Sequence, residues 1–283
     1  MGEQRPIPIS EIFPNLNASR TKGEILGIHA RLMQPPSPNF PDASSQQFEE
    51  LIRLLGSTDS APFASDLLRD PDIISVAPTL TRGWARHEYH RERDWALTIA
   101  GSEDPSGELK KYPVYGFYEK LIPFEFSLVN ALHNGKINNA LFIGSGPLPL
   151  SPLLLAESGK MHVDGIDVLE EACDIATDLT KKVGLEDQVK YSATDIRDMD
   201  DLGRYDMITL ATLAGETAEE KAEIFQHLHG RMKKGQMLAV RTMRGLRSLL
   251  YHEVQPQELD GFQIHFDNPS SNITNRVIVA EKK

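Results

Sequence analysis

The stretch Asn139-Ala140-Leu141-Phe142-Ile143, followed at once by Gly144-Ser145-Gly146-Pro147, constrains this chain more than any other part of it. A short apolar run ahead of a glycine pair reads as a buried strand that turns sharply. Glycine reaches backbone conformations closed to other residues and lets the backbone come close to a ligand. Asp167 comes 21 residues after Gly146, at the end of the next apolar run, Met161 to Ile166. In dinucleotide-type folds an acid at that point accepts hydrogen bonds from ribose hydroxyls. A glycine turn and a surface aspartate would explain each piece separately. The order strand, glycine pair, helix, strand, aspartate favours a ribose-binding site.

The rest of the C-terminal half repeats that alternation. Helical patterns over Ser151 to Ser158, Leu169 to Val183 and Ala218 to Met232 fall between strand-like runs at Val189 to Ala193, Met207 to Leu210 and Met237 to Val240. Strands alternating with helices imply a parallel sheet covered on both faces. Two more strand-like runs, Phe262 to His265 and Val277 to Glu281, close the chain. The first half differs in texture. Pro35, Pro36, Pro38 and Pro41 forbid a helix across one loop. Gly101 to Pro113 reads as a second loop, and helical patterns cover Gln46 to Leu55, Ala64 to Leu68 and Arg82 to Ile99. The expected organisation is an α/β chain with a mostly helical N-terminal domain, 1–135, and a Rossmann-like domain, 136–283.

The glycine loop also selects the ligand. A dinucleotide loop carries a third glycine for access to pyrophosphate, and here Pro149 stands in its place. Pro147 and Pro149 lack the backbone N–H groups that a pyrophosphate would use. A phosphate-free nucleoside suits this loop better, and S-adenosylmethionine is the obvious one. Gly144, Ser145, Gly146 and Pro147 would form its cradle, with Asp167 on the ribose. Thr194 and Asp195 follow the third strand, where the aspartate could accept from the adenine amino group or simply cap a short helix. Ala211 and Thr212 end the fourth strand, at the carboxyl edge where open α/β sheets bind ligands. By analogy, the terminal strand pair suits the antiparallel strand that ends the sheet of class I methyltransferases.

Charge excludes one class of partner. The net charge of −11, from 41 acidic against 30 basic residues, leaves no basic stripe to neutralise a phosphate backbone. Nucleic acid is therefore not expected, and a small zwitterionic substrate is. No apolar run approaches the roughly 20 residues of a membrane helix, and Met1 to Pro8 does not read as a signal peptide. A single cysteine, Cys173, precludes an internal disulfide framework or a cysteine metal cluster. The expectation is a cytoplasmic protein with no metal and no membrane partner.

Three segments resemble the nicotianamine synthase family. Gly144-Ser145-Gly146-Pro147-Leu148-Pro149-Leu150 is similar to its glycine loop. Tyr112-Pro113-Val114-Tyr115-Gly116-Phe117-Tyr118 through Glu125 is similar to the segment before its first strand, and Arg241, Gly245, Arg247 and Tyr251 fit the one after its fifth. The resemblance runs from about residue 80 to the end and leaves the first 75 residues without a recognisable motif.

The resemblance implies an unusual reaction. Its donor is S-adenosylmethionine, used as a substrate, and the carbon attacked is the γ-carbon of the aminocarboxypropyl arm. The products are 5′-methylthioadenosine and an N-alkylated amino acid, a metallophore or related metabolite. Other readings are a cyclase forming azetidine-2-carboxylate, an ordinary methyltransferase and a non-catalytic S-adenosylmethionine-binding regulator. A homodimer is compatible with all of them.

Trp84, Glu88, Glu92, Trp95 and Ile99 recur at spacings of 4, 4, 3 and 4 and share one helix face. Burial beside aromatics raises a carboxylate's pKa and fits it to act as a base. The family's catalytic glutamate precedes its catalytic tyrosine by 26 residues, the spacing of Glu92 and Tyr118. The resemblance thus implies Glu92 as base and Tyr118 as its partner, with Glu88 on the substrate side. A surface ion pair of Glu92 with Arg91 or Arg93 is the alternative. Tyr115, Tyr118 and Glu125 would line the donor pocket, or belong to the aromatic core. Arg241 and Arg247 would clamp substrate carboxylates, or lie on the surface. Cys173 reads as core, and His87-Glu88-Tyr89-His90 is one residue short of a zinc-binding HExxH.

Overall fold

The computed structural model describes residues 17–34, 43–58, 61–268 and 276–283. The proline-rich segment 35–42 and the first 16 residues lie outside the described residues. The chain divides into two compact units. One comprises the residues up to His87 with Met243–Glu253; the other comprises Glu88–Thr242 with Val254–Lys283. The division falls inside a helix, well before the expected boundary at 135.

The first unit is helical. It contains α1 (Ala18–Leu32), α2 (Ala43–Thr58), α3 (Ala64–Leu67), the start of α4 (Pro71–Ala100) and a 3-10 segment, Gly245–Leu249. Asn17 caps α1 by accepting from the Arg20 N–H at 3.0 Å. Ile25, Ile28, Leu51, Leu54, Leu55, Leu246 and Leu250 are fully buried. Helix α4 begins 11 residues before the expected Arg82, running through Pro78. Pro78 is exposed, while Ile73, Val76, Leu80 and Trp84 carry one buried stripe past it. That stripe supports the helix across the missing N–H.

The second unit holds the sheet. Ahead of it come α5 (Pro105–Leu109) and α6 (Tyr115–Leu132); the strands are β1 (Asn139–Ile143), β2 (His162–Asp167), β3 (Val189–Ala193), β4 (Met207–Leu210), β5 (Met237–Thr242), β6 (Phe262–Asp267) and β7 (Arg276–Lys282). Helices α7 (Leu150–Gly159), α8 (Glu170–Lys182) and α9 (Ala218–Arg231) make the crossovers. The strand order is β3-β2-β1-β4-β5-β7-β6, with β7 antiparallel to both its neighbours and the rest parallel. This is the Rossmann-like, class I methyltransferase arrangement expected from the sequence.

Alternation along β1 divides two cores. Ala140 and Phe142 face one cluster with Leu121, Ile122, Val129, Leu153 and Leu154. Leu141 and Ile143 face the other, with Ile224, Phe225 and Leu228 of α9. Because α6 supplies part of the first core, the segment before β1 folds with the sheet. The strand order reverses between β1 and β4, so their carboxyl ends flank the crevice where such sheets bind ligands.

Candidate active site

The glycine loop leaves β1 in a conformation that only glycine adopts easily. Gly144 has φ +79° and Gly146 φ +63°. A Cβ on Gly144 would lie 3.0 Å from the Ala214 Cβ and 3.2 Å from that of Ala211. One on Gly146 would lie 2.7 Å from Oε2 of Glu92. The N–H groups of Gly144 and Ser145 both donate to the Ile166 carbonyl, at 2.9 and 3.0 Å. This ties the loop to β2. The Ser145 hydroxyl is buried and has no hydrogen-bond partner among the described residues.

Asp167 ends β2 beside this turn. Its carboxylate accepts from the Gly146 N–H at 2.9 Å and the Leu169 N–H at 3.1 Å. Val168 and Leu169, which follow, are 68% and 46% exposed, an unusual pair of apolar side chains at a polar cleft. The Thr194 N–H donates to the Asp167 carbonyl at 2.8 Å, aligning the ends of β2 and β3. Asp195 takes the capping alternative. It accepts from the Arg197 backbone N–H at 2.9 Å and pairs with the guanidinium at 2.6 Å, which holds its carboxyl below the usual range.

Glu92 differs from the other acids around it. Its carboxylate receives no hydrogen bond or ion pair from the described residues. The ion pair available on its own helix, Arg91 with Glu88 at 2.7 Å, passes it by. Burial first, then the neighbouring charges of Glu88 and Asp167, push its pKa up to about 8 against the opposing pull of Arg91.

Two tyrosines lie within reach of this carboxyl's charge. Tyr112 is buried, edge-on to Trp95 at 5.4 Å between ring centroids, with the Arg91 guanidinium 5.9 Å from its own centroid. Burial and then the Glu92 charge raise its pKa. Tyr118 is raised by burial, opposed by Arg241 and reinforced by Glu92 and Glu88. The structure therefore groups Glu92, Glu88, Tyr112 and Tyr118. It sets Tyr115 apart, in the core, where burial and the charges of Glu119 and Glu157 raise its pKa.

Arg241 and Glu125 were expected to meet ligands separately; the structure joins them. Arg241 donates through Nε and one terminal nitrogen to both Glu125 oxygens, at 2.7 to 3.1 Å, and through the other nitrogen to the Ser151 hydroxyl at 2.8 Å. Their side chains are 4% and 2% exposed. The guanidinium lies 5.6 Å from the Tyr118 ring centroid and 5.3 Å from that of Phe142. Burial would weaken its charge, but the paired carboxylate outweighs this and keeps Arg241 protonated. Arg247 belongs to the first unit, with a terminal nitrogen 2.9 Å from where a Cβ on Gly56 would stand.

Tyr112 and Lys221 were not among the expected site residues. Lys221 is fully buried on α9 and donates to the carbonyls of Thr212 at 3.2 Å and Ala214 at 2.7 Å. Ala211 donates its N–H to the Ile143 carbonyl at 3.0 Å. Together these contacts fix the loop after β4 against the glycine turn. The signal was present: Lys221, Ile224, Phe225 and Leu228 share the stripe that α9 buries. Cys173 is buried, its thiol pushed up to about 11, as suits a core residue.

A family model described as nicotianamine synthase protein matches residues 16–283. Nicotianamine synthase 1 of Oryza sativa subsp. indica is 30% identical over 271 residues, covering 92% of this chain and 80% of the relative. Nicotianamine synthase 9 of Hordeum vulgare is 31% identical over 268 residues, covering 92% and 78%. Among solved structures, a mutant of MtNAS in complex with S-adenosylmethionine superposes with a TM-score of 0.76 at 22% identity, covering 92% of this chain and 97% of that one. MtNAS in complex with MTA and tNA gives 0.75 at 22% identity, covering 94% and 97%. Those two structures bear on the fold, and the sequence matches decide the family: this chain belongs to the nicotianamine synthase family.

Proposed function

We propose that this chain transfers the 3-amino-3-carboxypropyl group of S-adenosylmethionine to the amine of a small amino acid, releasing 5′-methylthioadenosine. The observation that carries the reading is Glu92, a carboxyl with no hydrogen-bond or ion-pair partner among the described residues, held directly over the glycine turn. Family membership and the S-adenosylmethionine held by the related MtNAS structure support the choice of donor.

The residues present fit that donor. Gly144 and Gly146 turn the chain with bare backbone, beside Ala211 and Ala214 at the first and the Glu92 carboxyl at the second. Each Asp167 oxygen keeps a lone pair beyond its present hydrogen bond, enough to accept from ribose hydroxyls. Val168 and Leu169 offer an exposed apolar face to a purine. Ser145 holds a buried hydroxyl in reserve.

When bound, the donor supplies a γ-carbon made electrophilic by the adjacent sulfonium. The protein's part is alignment and proton transfer. Asp167 and the glycine turn hold the nucleoside in register. Glu92 accepts the proton of the attacking amine, a role that a raised pKa suits near neutral pH. Tyr118 offers its ring to the cation and shares the enclosure with Glu92. The net charge of −11 supports a small zwitterion, rather than nucleic acid, as acceptor, and the reading places the reaction in the cytoplasm. Incubation with S-adenosylmethionine and individual amino acids, followed by mass spectrometry of the amine products, tests it. An acceptor carrying an added aminocarboxypropyl group is expected; an acceptor carrying only a methyl group would overturn the reading.

A further inference from the structure

Four other acids of the strand ends and helices around the glycine turn have partners. Glu88 pairs with Arg91 at 2.7 Å, Glu125 with Arg241 at 2.7 Å, Asp195 with Arg197 at 2.6 Å, and Asp167 accepts two backbone N–H groups. Glu92 has no hydrogen-bond or ion-pair partner among the described residues, and it is the acid that projects over Gly146. The charged and titratable groups facing it are few. Helix α4 presents Glu88 and Arg91, the end of β2 presents Asp167, the turn before α6 presents Tyr112, and α6 presents Tyr118. A further cation, Arg241, bears on Tyr118 and is held by Glu125. Among the described residues, Arg91 is the cation whose charge reaches Glu92, and it is paired with Glu88.

We infer that the sulfonium of the donor is the missing counterion: as the donor seats, Glu92 gives up its carboxyl proton to solvent, so the base is armed only after the alkyl group is in place. The inference rests on the proposed binding of S-adenosylmethionine. Desolvation and like charge keep an acid neutral, and a cation entering the same enclosure favours its ionised form. With its carboxyl held at about 8 when no ligand is bound, Glu92 is mostly protonated at pH 7. An amine that arrived first would therefore meet an acid, not a base. The proton balance closes over a cycle. One proton leaves Glu92 on donor binding. As the N–C bond forms and the Cγ–S bond breaks, the sulfur departs as a neutral thioether. Before that attack Glu92 takes one proton from the acceptor's ammonium, which frees the lone pair and returns Glu92 to its starting state; the alkylated amine leaves as an ammonium.

Calorimetric titration of the whole chain at pH 7, in phosphate and in Tris, measures this directly. The two buffers differ in ionisation enthalpy, so a proton released on binding appears as a difference in apparent heat. S-adenosylmethionine should release most of one proton. Methylthioadenosine, which keeps the nucleoside and lacks the positive charge, should release essentially none. Glu92→Gln, checked for folding by circular dichroism, should bind S-adenosylmethionine without the buffer-dependent heat. Equal heats in both buffers for wild type, or undiminished release in Glu92→Gln, would overturn the inference and leave the proposed function standing. Failure of S-adenosylmethionine to bind wild type at all would remove the proposed function and this inference together. The comparison of the two nucleosides on wild type needs no variant to fold.

Discussion

Oε2 of Glu92 lies 2.7 Å from the point a Cβ on Gly146 would occupy, so base and glycine turn are built as one surface. The φ of +63° at Gly146 disfavours any side chain, and a Cβ there would push the Glu92 carboxylate aside. Gly146→Ala is expected to lose at least tenfold in affinity for S-adenosylmethionine and about 1–2 kcal/mol of stability, the usual cost of a left-handed alanine. Calorimetry and urea unfolding measure the two effects. An alanine variant that binds normally would mean that Glu92 swings clear of the turn.

Replacing the base without changing its shape isolates its chemistry. Glu92→Gln should cut turnover by roughly 10²–10⁴, the common scale of general-base catalysis, while the dissociation constant of S-adenosylmethionine stays within about tenfold of wild type. Glu88→Gln releases Arg91 from its 2.7 Å ion pair and should affect turnover less. Steady-state kinetics of both variants decide which turn of α4 carries the base. Loss of activity in Glu88→Gln alone would transfer the role to Glu88.

The pH dependence follows from the same carboxyl. In the ligand-free enzyme its pKa is raised to about 8, and the base must be ionised to work. The kcat/KM for S-adenosylmethionine should therefore climb with pH and level off above about pH 8. The rise in kcat should lie at lower pH, because the donor is then already seated. Stability runs the opposite way. A folded pKa above the ordinary 4.5 means that the ligand-free fold loses stability as pH rises from about 4.5 through about 8. Glu92→Gln should thus match wild type in acid and exceed its melting temperature at alkaline pH. A kcat/KM flat from pH 6 to 9 would contradict this account.

The Arg241–Glu125 pair has a separate, structural signature. Both side chains are almost fully buried, so Arg241→Met strands a carboxylate and should cost about 3–5 kcal/mol in urea unfolding. Adding Glu125→Leu should recover much of that loss. If Arg241 instead served mainly to clamp a substrate carboxylate, the single variant would fold normally and lose only substrate affinity.

The C-terminal sheet was readable because each strand sits between a turn signal and a helix of its own period; β1, β3 and β4 fall on the expected residues. Asp167 and the glycine pair were readable for the same reason, since chain order fixes their place at the strand ends. The start of α4 was not. Pro78 looks like a stop, and only the buried stripe from Ile73 to Trp84 overrides it. Three-dimensional pairings were also hidden. Nothing in the spacing of Glu125 and Arg241, 116 residues apart, says that each is the other's partner. Asp195 offered two roles, and an arginine two residues on settled which one it plays in the ligand-free fold. Lys221 stood in plain view, a lysine on an apolar stripe. Its function became clear only when the Thr212 and Ala214 carbonyls came within reach.

The central claim concerns which bond of the donor is broken, and the nucleoside released reports that bond without any knowledge of the acceptor. Purified protein incubated with S-adenosylmethionine and a mixture of amino acids, then resolved by liquid chromatography, gives the answer in one measurement. Attack at the γ-carbon, with Glu92 taking the amine proton, predicts 5′-methylthioadenosine as the main nucleoside and its loss in Glu92→Gln. S-adenosylhomocysteine as the main product would contradict the account, because it would place the transferred group at the methyl carbon.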